Sequence, residues 1–160
     1  MSVNHRAAPE PSASNGPRPA RMAALSFPAD KDYLALVRTT AMHVAGLLAL
    51  PIGRVTDLRL AVDEACSLFV APSGGTDSSA SEMLELRYDR YEDALHITVR
   101  GLAPANWPER EEIGWAMLRA LVGEVRAEDA DGVGTLTLIE PLYAADRPQG
   151  VSGDSRPSAG

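Results

Sequence analysis

The sequence predicts an α+β two-layer sandwich, a mixed or antiparallel sheet with helices on one face, and three observations carry that expectation. Apolar residues between Asp57 and Val70 recur at the three-and-four spacing of one helical stripe. Two runs, Met83 to Tyr88 and Leu95 to Arg100, alternate apolar and polar residues with period two. The elements also fall in the order β, α, α, β, β, α, β, which stacks helices on one side of a sheet.

Residues 1–21 hold Pro9, Pro11, Pro17 and Pro19 among Ser, Ala and Asn, too little apolar surface to offset ordering entropy, and are expected to be a disordered arm. Met22 to Phe27 reads as an edge strand ended by Pro28. A first helix follows Ala29 or Asp30, its apolar face formed by Tyr33, Leu36, Val37, Thr40, Ala41, Val44, Leu47 and Leu48, with Asp30 and Asp32 at the positive end of its dipole. Leu50 and Pro51 end it, Gly53 allows a sharp turn, and a second helix begins near Arg54. So short a connection makes the two helices antiparallel neighbours.

The second helix organises the chain. Leu58, Ala61, Val62, Ala65 and Phe69 line its core face, while Asp57, Arg59, Asp63, Glu64 and Ser67 lie on the remaining surface, free to address a ligand or partner. Residues 71–81, APSGGTDSSAS, read as a loop. The two alternating runs then form a hairpin around Glu92 and Asp93. Beyond the proline-bearing connection after Gly101, the residues Ile113, Trp115, Ala116, Leu118, Leu121, Val122 and Val125 mark a third helix. Asp129 to Gly134 reads as a turn, Thr135 to Ile139 as a last strand stopped by Pro141, and 144–160 as a disordered tail, leaving one domain over 22–143.

Composition narrows the function. With 45% apolar and 23% charged residues, 160 residues suffice for one domain with its own core. No apolar run is long enough to span a membrane, and the N-terminus lacks the apolar region of a secretory signal, so a cytoplasmic protein is expected. A single cysteine, Cys66, leaves no internal disulfide and reads as a small core residue. The net charge of −7 repels a phosphate backbone and argues against direct nucleic-acid binding. Lys31, the one lysine, follows no glycines, so no P-loop is present. His5, His43 and His96 lack companions at ligand spacing, and no metal site is expected. Ser67 and Ser73 lack a His-Asp pair. Trp115 reads as core and Trp107 as packing on the sheet rim.

The words RLAVDEA, Arg59 to Ala65, resemble the helix of the histidine-kinase-like (GHKL, Bergerat-type) ATPase domains of bacterial anti-sigma factors with serine-kinase activity. In that family the helix carries Glu-Ala-x-x-Asn, the Glu acting as base toward an acceptor serine and the Asn holding the magnesium of ATP. The resemblance makes Glu64 the catalytic and nucleotide-side position and puts Leu68 where the Asn stands. A second family motif, Asp-x-Gly-x-Gly, reads adenine through its Asp; residues 100–104 keep Gly101 alone. A third sets glycines at the next helix start to receive phosphate, and here Gly114 is kept behind Glu111 and Glu112. Gly134-Thr135 is similar to the closing Gly-Thr, which implies Thr135 at the nucleotide.

ATP with magnesium is thus the cofactor the resemblance implies, but the metal ligand is missing and so is a charged hydrogen bond to adenine worth about 1.5–3 kcal/mol, roughly ten- to a hundredfold in affinity. The function implied is an anti-sigma regulator that sequesters an RNA polymerase sigma factor and is countered by an anti-anti-sigma protein, with weak or lost ATP chemistry. The alternative is an active ATP-dependent serine kinase that phosphorylates the antagonist. The expected sigma-binding surface is the first helix with the polar side of the second, through Arg38, Asp57, Arg59 and Asp63, and the family's pairing through sheet edges implies a homodimer.

Overall fold

A computed structural model describes residues 18–70, 82–104, 107 and 113–142. The expected loop over 71–81, the tail 144–160 and most of the arm 1–21 lie outside the described residues, as do Glu111 and Glu112. Five strands, β1 (Ala20–Pro28), β2 (Met83–Arg90), β3 (Ala94–Leu102), β4 (Glu124–Ala130) and β5 (Val133–Pro141), form one antiparallel sheet in the order β1-β2-β3-β5-β4. Helices α1 (Leu34–Leu47), α2 (Ile52–Ser67) and α3 (Ile113–Leu121) cover one face, giving the expected two-layer α+β sandwich.

Alternation assigns the two faces of the sheet. Leu84, Leu86 and Tyr88 of β2, Leu95, Ile97 and Val99 of β3, and Leu136 and Leu138 of β5 are all buried under the helices. Above them Leu58, Ala61, Val62, Ala65 and Cys66 of α2 are fully buried, so this helix lies at the centre of the layer. α1 adds Val37, Ala41, Val44 and Ala45, and α3 adds Trp115 and Leu118. The Cys66 thiol, closed off from water, has its pKa pushed up to about 12 by burial, with Asp63 adding to the shift, so it is a neutral core group at physiological pH. Among the described residues no helix is long and apolar enough to cross a membrane.

The structure corrects four local expectations. The third helix ends at Leu121, and Val125, expected on it, belongs to β4, a strand the sequence reading omitted. Asp131 and Gly132, both at positive φ (55° and 76°), turn β4 directly into β5, so the expected turn over 129–134 is a two-residue hairpin loop. The chain reversal between α1 and α2 falls on Ala49 at φ 51°, while Gly53 is helical and α2 starts at Ile52, behind Pro51. Finally, Leu36 and Leu47 are 44% and 63% exposed, so the buried stripe of α1 is narrower and centred on Val37, Ala41, Val44 and Ala45.

Candidate functional site

Antiparallel packing of α2 and α3 decides which predicted residues meet. The C-terminal half of α2 runs past the N-terminal end of α3, and a Cβ built on Gly114 would lie 3.6 Å from Glu64 Oε1. Glu64 is half-buried, and no hydrogen-bond or ion-pair partner is recorded for its carboxylate among the described residues. Leu68 caps the same helix one turn later, its amide donating to Glu64 O at 3.3 Å and its side chain packed against the core. Glu64, Leu68 and Gly114 therefore share one end of the sandwich.

Gly101 reaches the same end on β3, where it pairs directly with Gly134 of β5. Both sit on the helix-facing side of the sheet, in phase with Val99 and Leu136, and neither carries a side chain. The space above Gly101 is taken first by the Leu84 side chain of β2 and then by Phe69, just past α2, and the space above Gly134 by Trp107 and Phe69. A Cβ on Gly134 would lie 2.8 Å from Trp107 Cζ3 and 3.2 Å from Phe69 Cε1, and one on Gly101 would lie 3.4 Å from Phe69 Cδ1. The two rings meet edge to face, centroids 5.3 Å apart and planes at 75°. Trp107 thus packs at the sheet rim, as its sequence context suggested.

Thr135 is not brought to this cluster. Out of phase with Gly134 and Leu136, it lies on the helix-free face in line with Arg100 and Glu128, and Gly134 takes the inward position that the sequence match assigned to the threonine. Sequence reasoning also missed Phe69 and Gly134 as site residues. The strand parity set by Leu136 and Leu138 was the signal that could have shown Gly134 facing inward.

Of the four expected partner residues, three are engaged within the chain. Arg38 of α1 donates to Asp63 of α2 at 2.9 Å, and Asp57 pairs with Arg54 at 3.0 Å. Arg59 has no ion-pair partner among the described residues, so it is the one of the four whose charge remains available. Among the described residues no group of three or more His, Cys, Asp or Glu side chains could hold a metal. An open cleft of about 1260 Å³ lies at the opposite end of the sheet, lined by Leu50, Arg54, Asp93, Val122, Glu140 and Leu142 among others and by none of the predicted site residues.

No protein-family model matches the chain. Over 75 residues, 47% of the chain, it is 29% identical to the serine-protein kinase RsbW of Bacillus licheniformis, and that match covers 46% of the relative. The chain therefore spans about half the length of the curated relative it matches. Its fold is similar to the crystal structure of the RsbU and RsbW domains of Rv1364c from Mycobacterium tuberculosis, with a TM-score of 0.53 at 21% identity over 74% of this chain and 32% of that one. The architecture is thus an RsbW-like α+β fold.

Proposed function

We propose that this RsbW-like domain is a cytoplasmic anti-sigma regulator: it sequesters a sigma factor by direct contact and is released when an anti-anti-sigma protein takes its place, with ATP chemistry weak or lost. The observation that carries this reading is the makeup of the end of the sandwich around Glu64. Magnesium takes oxygen ligands, and at the position of the family's asparagine stands Leu68, a half-buried alkyl side chain packed against the core. No carboxylate stands at Gly101, and Leu84, Phe69 and Trp107 fill the space over the glycine pair. This donor set does not fit Mg-ATP as the family holds it, so no phosphoryl-transfer step is derived.

What remains is a surface. The ion pair between Arg38 and Asp63 fixes α1 against α2, so the two helices present one continuous face with Arg59 available for a carboxylate on the partner. The net charge of −7 favours a basic protein partner and disfavours nucleic acid. Pairing of two copies through sheet edges is part of the same reading.

Thermal unfolding with and without millimolar Mg-ATP tests it. We expect no saturable shift in Tm, whereas a site at a hundred times its Kd would add about 2.7 kcal/mol. Saturable, magnesium-dependent stabilisation would reject the reading. Titration of a cognate sigma factor tests the other half, with Arg59→Glu expected to weaken binding at least tenfold.

The second reading is an active serine kinase, and one observation favours it: the Glu64 carboxylate stands beside the start of α3 with no partner recorded among the described residues, as a general base would. Phosphate transfer from ATP to a serine of the antagonist, abolished by Glu64→Gln, would establish that reading in place of the first.

A further inference from the structure

We infer that the open cleft at the end of the sandwich remote from Glu64 is a docking site for an arginine- or lysine-bearing apolar segment of a partner protein. Its volume of about 1260 Å³ exceeds the roughly 300–1,000 Å³ of pockets that hold drug-sized ligands, so it has room for several residues of peptide. Three turns and the end of β5 meet there: the α1–α2 turn at Leu50, the β2–β3 turn at Glu92 and Asp93, and the α3–β4 turn at Val122, with Leu142 closing the ring. Leu50, Leu121 and Leu142 are half-buried and Val122 is buried, so the floor is apolar and partly open to water.

Charge sets the kind of occupant. The Arg54 guanidinium is already shared by two carboxylates, Glu140 through Nε and Nη2 and Asp57 through Nη1, which leaves one negative charge over. Glu92 and Asp93 are exposed with no ion-pair partner among the described residues, and they outnumber Arg90, the one unpaired cation on the described lining. α1 and α3 also end on the wall of the cleft, bringing the negative ends of two helix dipoles against the positive end of α2 alone. Arg119 answers the end of α3, but no basic residue stands in the last turn of α1. A guanidinium or ammonium entering here meets carboxylates and helix carbonyls while its apolar neighbours cover the leucines, whereas an acidic segment is repelled.

The inference goes beyond the regulatory reading, and its test needs no sigma factor, so either can fail without the other. The isotope-labelled full chain is titrated with a short acetylated peptide alternating Leu and Arg, and with versions in which Gln or Glu replaces each Arg. Amide shifts should concentrate at Asp93, Leu121 to Gly123 and Leu142, with the Arg peptide binding at least about tenfold more tightly than the Gln peptide and the Glu peptide not at all. Glu92→Arg with Asp93→Arg should weaken the Arg peptide about tenfold or more, while the same change in net charge on the helix-free face, Glu85→Arg with Glu128→Arg, should leave it within about twofold. Ala120→Trp, at an exposed position on the wall, should block the peptide by bulk without altering charge. Equal affinity for the Arg and Gln peptides, shifts centred elsewhere, or binding that survives the reversal at Glu92 and Asp93 would overturn the inference. If that double variant does not fold, Ala120→Trp decides, and undiminished binding to it sinks the idea.

Discussion

Glu140 is 3% exposed on the inward side of β5, in phase with Leu136 and Leu138, and its charge is held by one residue. Arg54, in the first turn of α2, donates from Nε to Oε1 at 2.8 Å and from Nη2 to both oxygens, while Nη2 also reaches Leu121 O at the end of α3. The hydrogen bond to Glu140 holds the Arg54 pKa above its ordinary value. One guanidinium thus ties α2, α3 and β5. Removing it leaves a buried, uncompensated carboxylate; since the Arg54 side chain is itself 36% exposed, we expect Arg54→Ala to cost about 2–4 kcal/mol in urea unfolding, and Arg54→Met with Glu140→Leu to cost less than either single change. His96 carries a pH prediction. Burial lowers its pKa, and the Arg126 charge lowers it further against the opposing pull of Asp89, Asp93 and Glu124, with the Tyr91 ring tilted at 39° beside it, centroids 4.2 Å apart. Because the unfolded chain then protonates first, its contribution is present above about pH 6.5 and is lost as pH falls through the depressed folded value. His96→Gln should therefore flatten the acid side of the stability profile relative to wild type. The sequence revealed Cys66 as core, because its place on the stripe is local. It could not reveal the Arg54–Glu140 pair, whose members stand 86 positions apart, nor the face on which Thr135 lies, which depends on strand phase.

At the scale of elements, the turn between the first two helices shows what local pattern conceals. Leu50 N–H donates to Ala45 O at 3.1 Å and Ala49 N–H to Gly46 O at 3.0 Å, the paired bonds of a helix stop that places its left-handed residue at position 49. Glycine is the usual choice there, and Gly53 drew the sequence reading four residues too far. Ala49→Gly should relieve the steric cost of φ 51° and stabilise the protein by about 0.5–1 kcal/mol after the loss of chain entropy, whereas Gly132→Ala at φ 76° should destabilise by about 1–2 kcal/mol; equilibrium denaturation reads both. β4 was missed for a related reason. Its outward residues Glu124, Arg126 and Glu128 make it look like a helix end or loop, and of its inward residues only Val125 is strongly apolar. The Asp131-Gly132 dipeptide ahead of an alternating strand was the available sign of a hairpin. The central hairpin of β2 and β3 needed no such help, since both runs alternate cleanly around a short charged turn.

At the scale of the molecule, one core joins all three helices to the sheet, from Phe27 and Leu84 at one edge to Leu136 and Leu138 near the other. Nothing in this layer divides it. Unfolding should be a single transition, with the Trp115 emission and the far-UV circular dichroism of the sheet changing together, and separated midpoints would show that the layer divides after all. The sandwich as a whole was legible because periodicity records which side of each segment is buried. The order of strands was not, because pairing is a matter of distant neighbours. β1 illustrates that distance: its partner β2 arrives only after both leading helices, with Phe27 matched to Leu84 and Ala20 to Arg90. On a ribosome, where the chain emerges from its N-terminus, the first strand is exposed long before its mate has been translated. Until then residues 20–28 have no strand to pair with, and their backbone donors and acceptors must be satisfied by water.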